Sequence, residues 1–453
     1  MNFSVIILAA GQGSRMRSSV PKVLHKLAHR SLLEHVCTAA EQLKPTKICV
    51  VYGHGGDQVR NHLQDENIEW AEQIEQLGTG HAVAQAMPTI PASDKVLILY
   101  GDVPLIKSHT LELMLENCSE TAMSLLTIEL NDPTGYGRIV RENNQITSIV
   151  EHKDANKAQL AICEINTGIM CVPVKQLNQW LARLNNDNAQ AEYYLTDIIA
   201  MAVKDKIAIN TVSATNSYEV EGINDRLQLA RLERYYQSMQ AEQLMQQGVT
   251  LRDPARIDVR GEIECGQDVI IDINVIIEGK VEIGDGVQIG PNVILKDCRI
   301  GTGSIIEANC VIEQATVGNE CNVGPFARLR PGANLANKAK VGNFVEVKNA
   351  DIGEGSKVNH LSYIGDTSMG KNVNVGAGTI TCNYDGANKH RTIIGDNVFV
   401  GSNTAMVAPI QLGEGATIGA GSTLTTDADA GALTLTRSKQ KTLAGWKRPT
   451  KKK

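Results

Sequence analysis

The first residues suited to chemistry in this chain are two cations that follow a loop of small residues. An uncharged apolar run, Ser4 to Ala10, precedes the segment Gly11-Gln12-Gly13-Ser14-Arg15-Met16, and Pro21-Lys22 follows. Small residues let backbone N–H groups approach a polyphosphate closely, and Arg15 and Lys22 neutralise its charge. The segment therefore predicts a nucleoside triphosphate site, with an ordinary strand-to-helix loop as the alternative.

The loop fits neither of two common phosphate-binding motifs. The dinucleotide motif G-x-G-x-x-G fails because Met16 stands where its third glycine belongs, and the P-loop motif G-x-x-x-x-G-K-[ST] is absent. What remains is L-A-A-G-x-G-[ST]-R-M followed by P-K. This pattern resembles the sugar-1-phosphate nucleotidyltransferase family.

Asp102 is a second candidate for chemistry. It follows the apolar stretch Val96–Tyr100 and so ends a predicted strand at the same sheet edge as the loop. A carboxylate there suits Mg²⁺, which takes oxygen ligands and holds substrate phosphates. A turn aspartate before Pro104 is the alternative. Asn224 precedes a predicted long helix, and on spacing alone we interpret it as the helix N-cap.

Length and composition indicate a large globular protein. The 453 residues are too many for one core and suggest two or three domains. Hydrophobic residues make up 42% and the net charge is −6, so there is no basic bias towards nucleic acid. We find no signal-peptide pattern, no apolar run of membrane-spanning length and no C-x-x-C pair among ten cysteines. We therefore expect a cytoplasmic protein with reduced thiols and without nucleic-acid or membrane partners.

Residues 1–224 alternate strand and helix patterns. Helices are predicted at Ser31–Leu43 and Ala82–Met87. Strands are predicted at Ser4–Ala10, Lys47–Val51, Val96–Tyr100, Ala122–Ile128 and Gly168–Val172. This order predicts an α/β domain with a Rossmann-like, mostly parallel sheet that binds ligands at the carboxyl ends of its strands.

Residues 225–248 are predicted to form a linker helix. Asp225–Gln247 carries apolar residues at helical spacing, and Gly248 is a typical stop.

Residues 249–453 follow a six-residue repeat and end in a basic tail. A branched aliphatic residue followed by glycine recurs at spacings of six, twelve and eighteen, for example at Ile283-Gly284, Ile289-Gly290 and Ile300-Gly301. Side chains at this interval face one shared core, so the repeat predicts a β-solenoid. The pattern resembles the hexapeptide transferases, which implies a left-handed parallel β-helix of triangular coils. Asn383–Thr392 breaks the count and is interpreted as a loop that reaches a neighbouring subunit.

His360 is the candidate base of the solenoid. His360 and His390 are the only histidines after residue 250. The resemblance to hexapeptide transferases implies acyl transfer, and acetyl transfer to an amine requires removal of a proton, which suits an imidazole with an ordinary pKa of about 6.5. Lys348 and Arg330 lie one and two nominal coils earlier, where we expect them to gather beside His360 and bind a sugar phosphate. The alternative is that His360 is an exposed histidine on the outer face without a function.

Further motifs occur in order along the chain. They are Glu72-Gln73-x-x-Gln76-Leu77-Gly78-Thr79, Tyr100-Gly101-Asp102, Gly135-Tyr136-Gly137-Arg138, Ile149-Val150-Glu151, Glu164-Ile165-Asn166-Thr167-Gly168 and Tyr193-Tyr194-Leu195-Thr196-Asp197. With the loop and the solenoid they resemble the bacterial family of bifunctional N-acetylglucosamine-1-phosphate uridyltransferases and glucosamine-1-phosphate acetyltransferases. The resemblance covers essentially the whole chain and implies synthesis of UDP-N-acetylglucosamine for peptidoglycan and lipopolysaccharide.

The resemblance implies roles for residues of the first domain. Gln73 and Gly78 would contact uracil, and Asp102 with Asn224 would ligate Mg²⁺. The acetylated sugar would be held by Gly137, Glu151 and Asn166. A sugar-phosphate oxygen would attack the α-phosphorus of UTP and release pyrophosphate, with Arg15 and Lys22 as catalytic cations. The other implied substrate-binding residues are Leu8, Ala9, Ala10, Gly11, Thr79, Tyr100 and Gly101.

The resemblance also implies roles in the solenoid. His360 would be the general base, and Ser402 would lie near the developing oxyanion. Glucosamine 1-phosphate would be bound by Arg330, Lys348, Tyr363 and Asn374. Acetyl-CoA, the co-substrate, would contact Ala377, Asn383, Tyr384, Ser402, Ala420 and Arg437. The family associates as homotrimers with sites between subunits.

We therefore expect a bifunctional enzyme that acetylates glucosamine 1-phosphate at one site and couples the product to UTP at another. One alternative keeps only the nucleotidyltransferase and makes the β-helix an oligomerisation or regulatory module. A more distant alternative is a non-catalytic sugar-nucleotide sensor. We interpret the last lysines, Lys451 to Lys453, as a solubilising tail.

Overall fold

The computed structural model describes residues 2–53, 55–63, 67–92 and 94–451. The chain divides into two compact units, Met1–Tyr236 and Gln237–Lys453, and the division falls inside the predicted linker helix. Lys452 and Lys453 lie outside the described residues. Within the described ranges, no helix combines the length and the apolar character needed to cross a bilayer.

The first unit is built on a nine-stranded sheet. Its strands, with a separate short hairpin β2–β3, are β1 (Phe3–Leu8), β2 (Lys26–Leu27), β3 (Arg30–Ser31), β4 (Lys47–Tyr52), β5 (Ile68–Glu72), β6 (Lys95–Tyr100), β7 (Ala122–Glu129), β8 (Gly137–Glu142), β9 (Gln145–Val150), β10 (Glu164–Pro173) and β11 (Ala208–Ser213). The main path runs β11-β7-β10-β6-β1-β4-β5, and β8 and β9 attach beside β10. Along this described path only β10 opposes the common direction, so the sheet is mostly parallel as predicted.

Helices cover both faces of this sheet. The α-helices of the described residues are α1 (Leu32–Glu41), α2 (Gly56–His62), α3 (Thr79–Ala86), α4 (Ser108–Glu116), α5 (Lys157–Leu160), α6 (Val174–Leu181), α7 (Ile198–Lys204) and α8 (Arg226–Gln246), the last of which crosses the unit boundary. Val5 and Ile7 pack into one core, whereas Ile6 and Leu8 pack into the other. Alternate residues of a strand point to opposite faces, so a strand buried on both sides must be apolar throughout.

The second unit is a parallel β-helix with three faces. Strands of the first face are Thr250–Leu251, Ile270–Ile271, Gln288–Ile289, Ile305–Ile306, Asn322–Val323, Lys340–Asn343, Lys357–His360, Asn374–Val375, Phe399–Val400, Thr417–Ile418 and Leu433–Thr434. Three long strands, Ile257–Cys265, Val275–Ile283 and Ile294–Ile300, run through the second and third faces. The second face continues with Val311–Glu313, Arg328–Leu329, Glu346–Lys348, Tyr363–Gly365, Ile380–Cys382, Ala405–Val407 and Thr423–Leu424. The third continues with Thr316–Val317, Ala333–Leu335, Ala350–Ile352, Thr367–Met369, Thr392–Ile394 and Ile410–Leu412.

The register of the β-helix follows the hexads with one interruption. Val341 pairs with Val358, and Val358 pairs with Val375, so each coil takes 17 residues there. Val375 pairs with Val400, 25 residues on, because the segment after Asn383 is inserted before the third face resumes at Thr392. The paired aliphatic side chains stack in the interior, where they are fully or almost fully buried.

Close stacking of coils excludes side chains at several glycines. A Cβ atom on Gly353 would lie 2.0 Å from the carbonyl oxygen of Gly370 in the next coil. That oxygen is part of the backbone and cannot rotate away, so the position requires glycine.

We predict that Gly353→Ala destabilises the β-helix by about 2 kcal/mol, because the neighbouring coil must shift to admit a methyl group. This cost corresponds to a fall of about 5 °C in its thermal-unfolding midpoint, measured by circular dichroism. Gly419→Ala is the matched control, since its Cβ would lie 3.0 Å from Cβ of Leu435, with Nη2 of Arg437 and the carbonyl oxygen of Thr434 at 3.7 and 3.8 Å. Equal midpoints for the two variants would contradict the packing argument.

Candidate active sites

The predicted triphosphate loop borders a cavity of about 540 Å³ in the first unit. Leu8 to Gln12 form one wall at the carboxyl end of β1. The other lining residues are Lys22, Val23, Gln73, Gln76, Gly78, Thr79, Ala82, Tyr100, Asp102 and Glu192. The structure therefore brings together most of the residues that the sequence assigns to the nucleotide, at the sheet edge where they were expected.

The loop conformation depends on Gly13 and on the packing of Lys22. Gly13 has a φ of +60°, and a Cβ atom there would lie 2.6 Å from Cβ of Lys22. Glycine adopts this left-handed conformation without strain. The close approach presses the backbone of Lys22 against the loop and fixes the start of its side chain beside the cavity.

Arg15 occupies a different position from Lys22. It lies on the short 3₁₀ turn Ser14–Met16, is exposed, and is not among the residues that line the cavity. The structure thus places one of the two predicted cations in the cavity and the other on the adjacent surface.

The ammonium group of Lys22 bridges the two predicted metal ligands. It donates to Asp102 Oδ2 and, at 3.1 Å, to Asn224 Oδ1. The side chains of Lys22 and Asp102 are only 12% and 18% exposed, so the pair is largely shielded from water. A hydrogen bond of 2.9 Å from Ile223 N to the carbonyl oxygen of Asp102 holds the two segments together.

The interpretation of Asn224 as an N-cap is wrong. Asp225 Oδ1 accepts hydrogen bonds from the backbone N–H groups of Leu227 and Gln228, each at 2.9 Å, so Asp225 caps α8. The cap lies one residue later than the spacing suggested, and this leaves the Asn224 amide oxygen to face Lys22.

The pair Asp102 and Asn224 fits a divalent cation. Both present oxygen atoms to one positive charge, the lysine ammonium. Among the described residues no group of three or more histidine, cysteine or acidic side chains is placed to hold a metal. Two protein oxygens with substrate phosphates as the remaining ligands are typical of Mg²⁺ sites, so the donor set suits this ion.

A second group of predicted residues meets around Tyr100. Gly137 pairs with Asn166, and a Cβ atom on Gly137 would lie 3.4 Å from Glu151 Oε1. Burial, and then the charges of Glu151 and Asp102, raise the pKa of Tyr100 well above its usual value. Tyr100 is therefore close enough to both Glu151 and Asp102 for their charges to act on it.

Glu151 is itself shielded from water. Burial is the largest cause of its raised pKa, and the nearby carboxylates Asp154 and Asp197 act in the same direction. Thr196 partly opposes this shift by donating a hydrogen bond of 3.1 Å to Glu151 Oε1. A partly buried acceptor of this kind gains when a ligand hydroxyl or N–H group donates to it.

In the second unit, His360 ends a first-face strand and is exposed. Its Nδ1 atom lies 2.8 Å from Oδ1 of Asn343, one coil earlier. An amide oxygen only accepts, so Nδ1 carries the ring proton and Nε2 presents its lone pair. This is the tautomer that a general base requires.

Several predicted acetyl-CoA residues continue the corner row of His360. Gly378 N donates to the His360 carbonyl, Asn403 N to Ala377, and Gly421 N to Ser402. These bonds place Ala377, Ser402 and Ala420 beside His360 in successive coils. Arg437 lies at the end of the row, with its Cδ atom 3.8 Å from a Cβ atom built on Gly421.

Three cations crowd together at the far corner of the second face. Contact with Lys389 and then its charge lower the pKa of Lys348, and the charge of Arg330 adds to this shift. Asp366 is the opposing carboxylate, and it accepts hydrogen bonds from Asn349 and Asn383. The repulsion among the cations would be relieved by a bound anion such as a phosphate.

The expectation that Lys348 and Arg330 lie one and two full coils before His360 is wrong. Lys348 aligns with Gly365, and Arg330 N bonds to Val347, so both lie where the second face ends. Twelve residues are two hexads, which move the chain two faces around the coil and not one full coil back. The guanidinium of Arg330 turns back to Glu346, at 2.7 Å, level with Tyr363.

The remaining predicted residues of the second unit lie at the cation corner, on the inserted loop and on the first face. Asn383 is buried and donates to Asp366, with Tyr363 Oη 3.4 Å away, so these two join the cation corner. Tyr384 is exposed on the inserted loop, where its hydroxyl donates to Gly386 at 2.6 Å. Asn374 lies on the first face, paired with Lys357 and Phe399, and the structure does not bring it to the cations of the same chain.

Sequence reasoning missed several residues of these sites. Asn343 stands 17 residues before His360, and Lys389 lies in the segment that interrupts the repeat; both were detectable only once the true coil length was known. Gln76 was inside a quoted motif but was given no role. Its amide nitrogen donates to the Ala10 carbonyl at 2.7 Å and steadies the phosphate loop.

Family models match both units. Residues 5–141 match the MobA-like NTP transferase domain. Residues 262–297 match the bacterial transferase hexapeptide (six repeats), and residues 391–426 match the hexapeptide repeat of succinyl-transferase. Together with the folds, these matches define a nucleotidyltransferase joined to a hexapeptide-repeat acyltransferase.

Similarity to known proteins extends over the full chain. The "Bifunctional protein GlmU" of Marinobacter nauticus is 58% identical over 448 residues, with 99% of each chain covered. Proteins of the same name from Stutzerimonas stutzeri and Azotobacter vinelandii are 56% and 58% identical, with 100% of each chain covered. The chain belongs to the family of bifunctional GlmU proteins.

The protein is accordingly a bifunctional enzyme, a uridylyltransferase and an acetyltransferase that acts on small molecules. It uses a divalent metal ion and acetyl-CoA. The alternative in which the β-helix serves only for oligomerisation or regulation is therefore not supported.

We predict that Lys389→Ala raises the KM for the phosphorylated amino-sugar substrate of the acetyltransferase about tenfold, since a cation that contacts a phosphate is worth roughly 1.5 kcal/mol. The turnover number should change less, because the substitution leaves His360 untouched. Steady-state release of free CoA thiol measures both quantities. Lys371→Ala, which removes an exposed ion pair with Glu354, is the control. An unchanged KM in Lys389→Ala would contradict an anion-binding role for the cation corner.

Proposed function

We propose that the first unit transfers a uridylyl group from UTP to N-acetylglucosamine 1-phosphate. The observation that carries this proposal is the convergence of Lys22, Asp102 and Asn224 beside the loop cavity. Mg²⁺ is the proposed metal, because two oxygen ligands at a phosphate site suit its preference for substrate phosphates as further ligands. Bound there, Mg²⁺ would neutralise charge on the triphosphate.

The reaction needs no protein nucleophile. An oxygen of the sugar phosphate attacks the α-phosphorus of UTP, the bond to the β-phosphate oxygen breaks, and pyrophosphate leaves. Backbone N–H groups of the loop and the ammonium of Lys22 hold the phosphates in line, and Arg15 adds positive charge from the adjacent surface. Gln73 and Gly78 hold the base, while Gly137, Glu151 and Asn166 hold the acetylated sugar; Thr79, Tyr100 and Gly101 are further substrate-binding residues.

The second unit is proposed to acetylate glucosamine 1-phosphate. The observation that carries this step is the Asn343–His360 hydrogen bond, which leaves Nε2 of His360 able to accept a proton. The phosphate binds at the corner of Arg330, Lys348 and Lys389, with Tyr363 between this corner and His360. His360 takes a proton from the substrate amine while the amine nitrogen attacks the acetyl carbonyl, and the CoA thiolate leaves. Ser402, two coils further along the same row, is placed to stabilise the oxyanion.

The domain assignment follows from these sites. Residues 1–224 form the uridylyltransferase, 225–248 the linker helix and 249–453 the acetyltransferase with its basic tail. One reaction consumes a nucleotide and the other consumes acetyl-CoA, which favours a cytoplasmic location.

One incubation tests both assignments. With glucosamine 1-phosphate, acetyl-CoA, UTP and Mg²⁺, we expect the wild-type protein to release free thiol and pyrophosphate. Asp102→Ala should abolish only pyrophosphate release. His360→Ala should lower thiol release at least about 100-fold, as expected for loss of a general base.

Added N-acetylglucosamine 1-phosphate provides the control for the second variant. It should restore pyrophosphate release by His360→Ala, because the first unit then no longer depends on acetylation. Intact thiol release in His360→Ala would refute the assignment of the base, and intact pyrophosphate release in Asp102→Ala would refute the assignment of the metal ligand.

We further propose that the β-helices form a homotrimer. Phe326, Phe344 and Leu361 follow one another at the corner next to the His360 row, each with positive φ and each 49% to 63% exposed. The two phenylalanine rings stack with centroids 5.3 Å apart. Large apolar side chains are disfavoured at positive φ and in contact with water. Burial against another subunit would explain why they occur at this corner. It would also let Asn374 of one chain and the cations of another share a substrate.

We predict that Phe344→Asp converts the trimer to monomers in sedimentation velocity and lowers acetyl transfer more than tenfold, because a buried charge opposes association. Uridylyl transfer should persist. Ile393→Asp, at a 45% exposed position on the third face, is the control and should stay trimeric. A wild-type protein that sediments as a monomer while acetylating normally would overturn the trimer proposal.

A further inference from the structure

His81 lies behind the nucleotide cavity and contacts Gln73, the residue proposed to contact the base. Gln73 follows β5 and is 4% exposed, and its backbone N–H donates to Tyr52 at 2.8 Å. His81 lies in the first turn of α3. The main chain on both sides of this contact is therefore held by regular structure.

Both hydrogens of the Gln73 amide are used inside the protein. The amide nitrogen donates to the carbonyl oxygen of Gly78 at 3.0 Å and to Nδ1 of His81 at 3.1 Å. The reverse orientation would place the amide oxygen against the carbonyl oxygen of Gly78, and two acceptors repel at this distance. The Gly78 carbonyl thus decides which way the amide points, and His81 takes up its second hydrogen.

The other ring nitrogen of His81 completes the arrangement. Because Nδ1 accepts, Nε2 carries the proton of the neutral ring and must donate. The amide nitrogen of Gln85, one helical turn later, lies 3.0 Å from Nε2. Oxygen and nitrogen of such an amide exchange places by a half rotation that leaves its shape unchanged, so Gln85 can present its oxygen to this proton.

Only the oxygen of the Gln73 amide remains for a ligand. Gln73 lines the cavity, and within the described part of the chain no donor is assigned to its Oε1. A carbonyl oxygen that is locked in this orientation accepts hydrogen bonds and cannot donate.

We propose that His81 is a specificity-determining positioning residue, which locks the Gln73 amide so that its oxygen accepts the imide N3–H of uracil. The proposal rests on the proposed function, in which Gln73 contacts the base. Cytosine has a lone pair at N3 and would be repelled. Thymine carries the same imide as uracil, so this contact does not distinguish the two.

Nucleotide discrimination by variants tests the proposal. We measure kcat and KM of pyrophosphate release with N-acetylglucosamine 1-phosphate and either UTP or CTP. His81→Leu frees the amide to rotate, so the KM for UTP should rise about tenfold and the preference for UTP over CTP should fall by a similar factor, with kcat little changed. His81→Asn should retain most of the preference, because an amide oxygen can take the place of Nδ1.

Two controls separate this role from a general defect. His109→Leu removes an exposed histidine of α4 and should behave as wild type. Acetyl transfer by each variant, together with its thermal-unfolding midpoint, reports on folding of the same chain.

A measurement on the wild-type protein keeps the test independent of variant folding. UTP methylated at N3 lacks the imide hydrogen and should compete with UTP at least about tenfold more weakly than UDP, a natural-base competitor. Equal competition, or an unchanged UTP preference in His81→Leu, would overturn the role of His81. An unchanged KM for UTP in Gln73→Ala would instead refute the underlying proposal that Gln73 contacts the base.

Discussion

The ammonium group of Lys22 joins three segments of the first unit that are far apart in sequence. It draws together the phosphate loop, the end of β6 at Asp102 and the start of α8 at Asn224. Two oxygen donors directed at one cation form an electrostatic centre that is only partly exposed, where attraction between charges is stronger than in water. A triphosphate and its metal ion require such a centre at the carboxyl edge of the sheet, and the remaining cavity residues are arranged around it.

The β-helix also brings functional residues together, but through the periodicity of its coils. Each coil must place apolar side chains inside at fixed intervals, so any polar residue is confined to a face or a corner by its position in the hexad. This periodicity stacks His360, Ala377 and Ser402 in one row and places Arg330 and Lys348 at another corner, where Lys389 joins them from the inserted segment. Long side chains then bridge the distance that the backbone register imposes, as when Arg330 turns back to Glu346.

Both units orient a polar side chain through the hydrogen bond of a neighbouring residue. Asn343 sets the tautomer of His360, and His81 with Gly78 sets the direction of the Gln73 amide. A neutral imidazole or amide offers a donor on one side and an acceptor on the other, so its usefulness depends on which side is already engaged. The supporting residue therefore decides what chemistry the contacting residue can perform.

The sequence by itself determined the buried strands, the long helix, the six-residue repeat and the residue types around each phosphate, because these depend on periodicity and on local chemistry. It placed Asp102 and Lys22 at one sheet edge correctly, since the carboxyl ends of parallel strands meet there. Only the tertiary structure decided that Asp225 and not Asn224 caps α8, and that Lys348 and His360 stand at opposite ends of the second face. Such details depend on the register of single residues and on the direction of side chains. An error of one residue in the register changes the partner of every residue that follows.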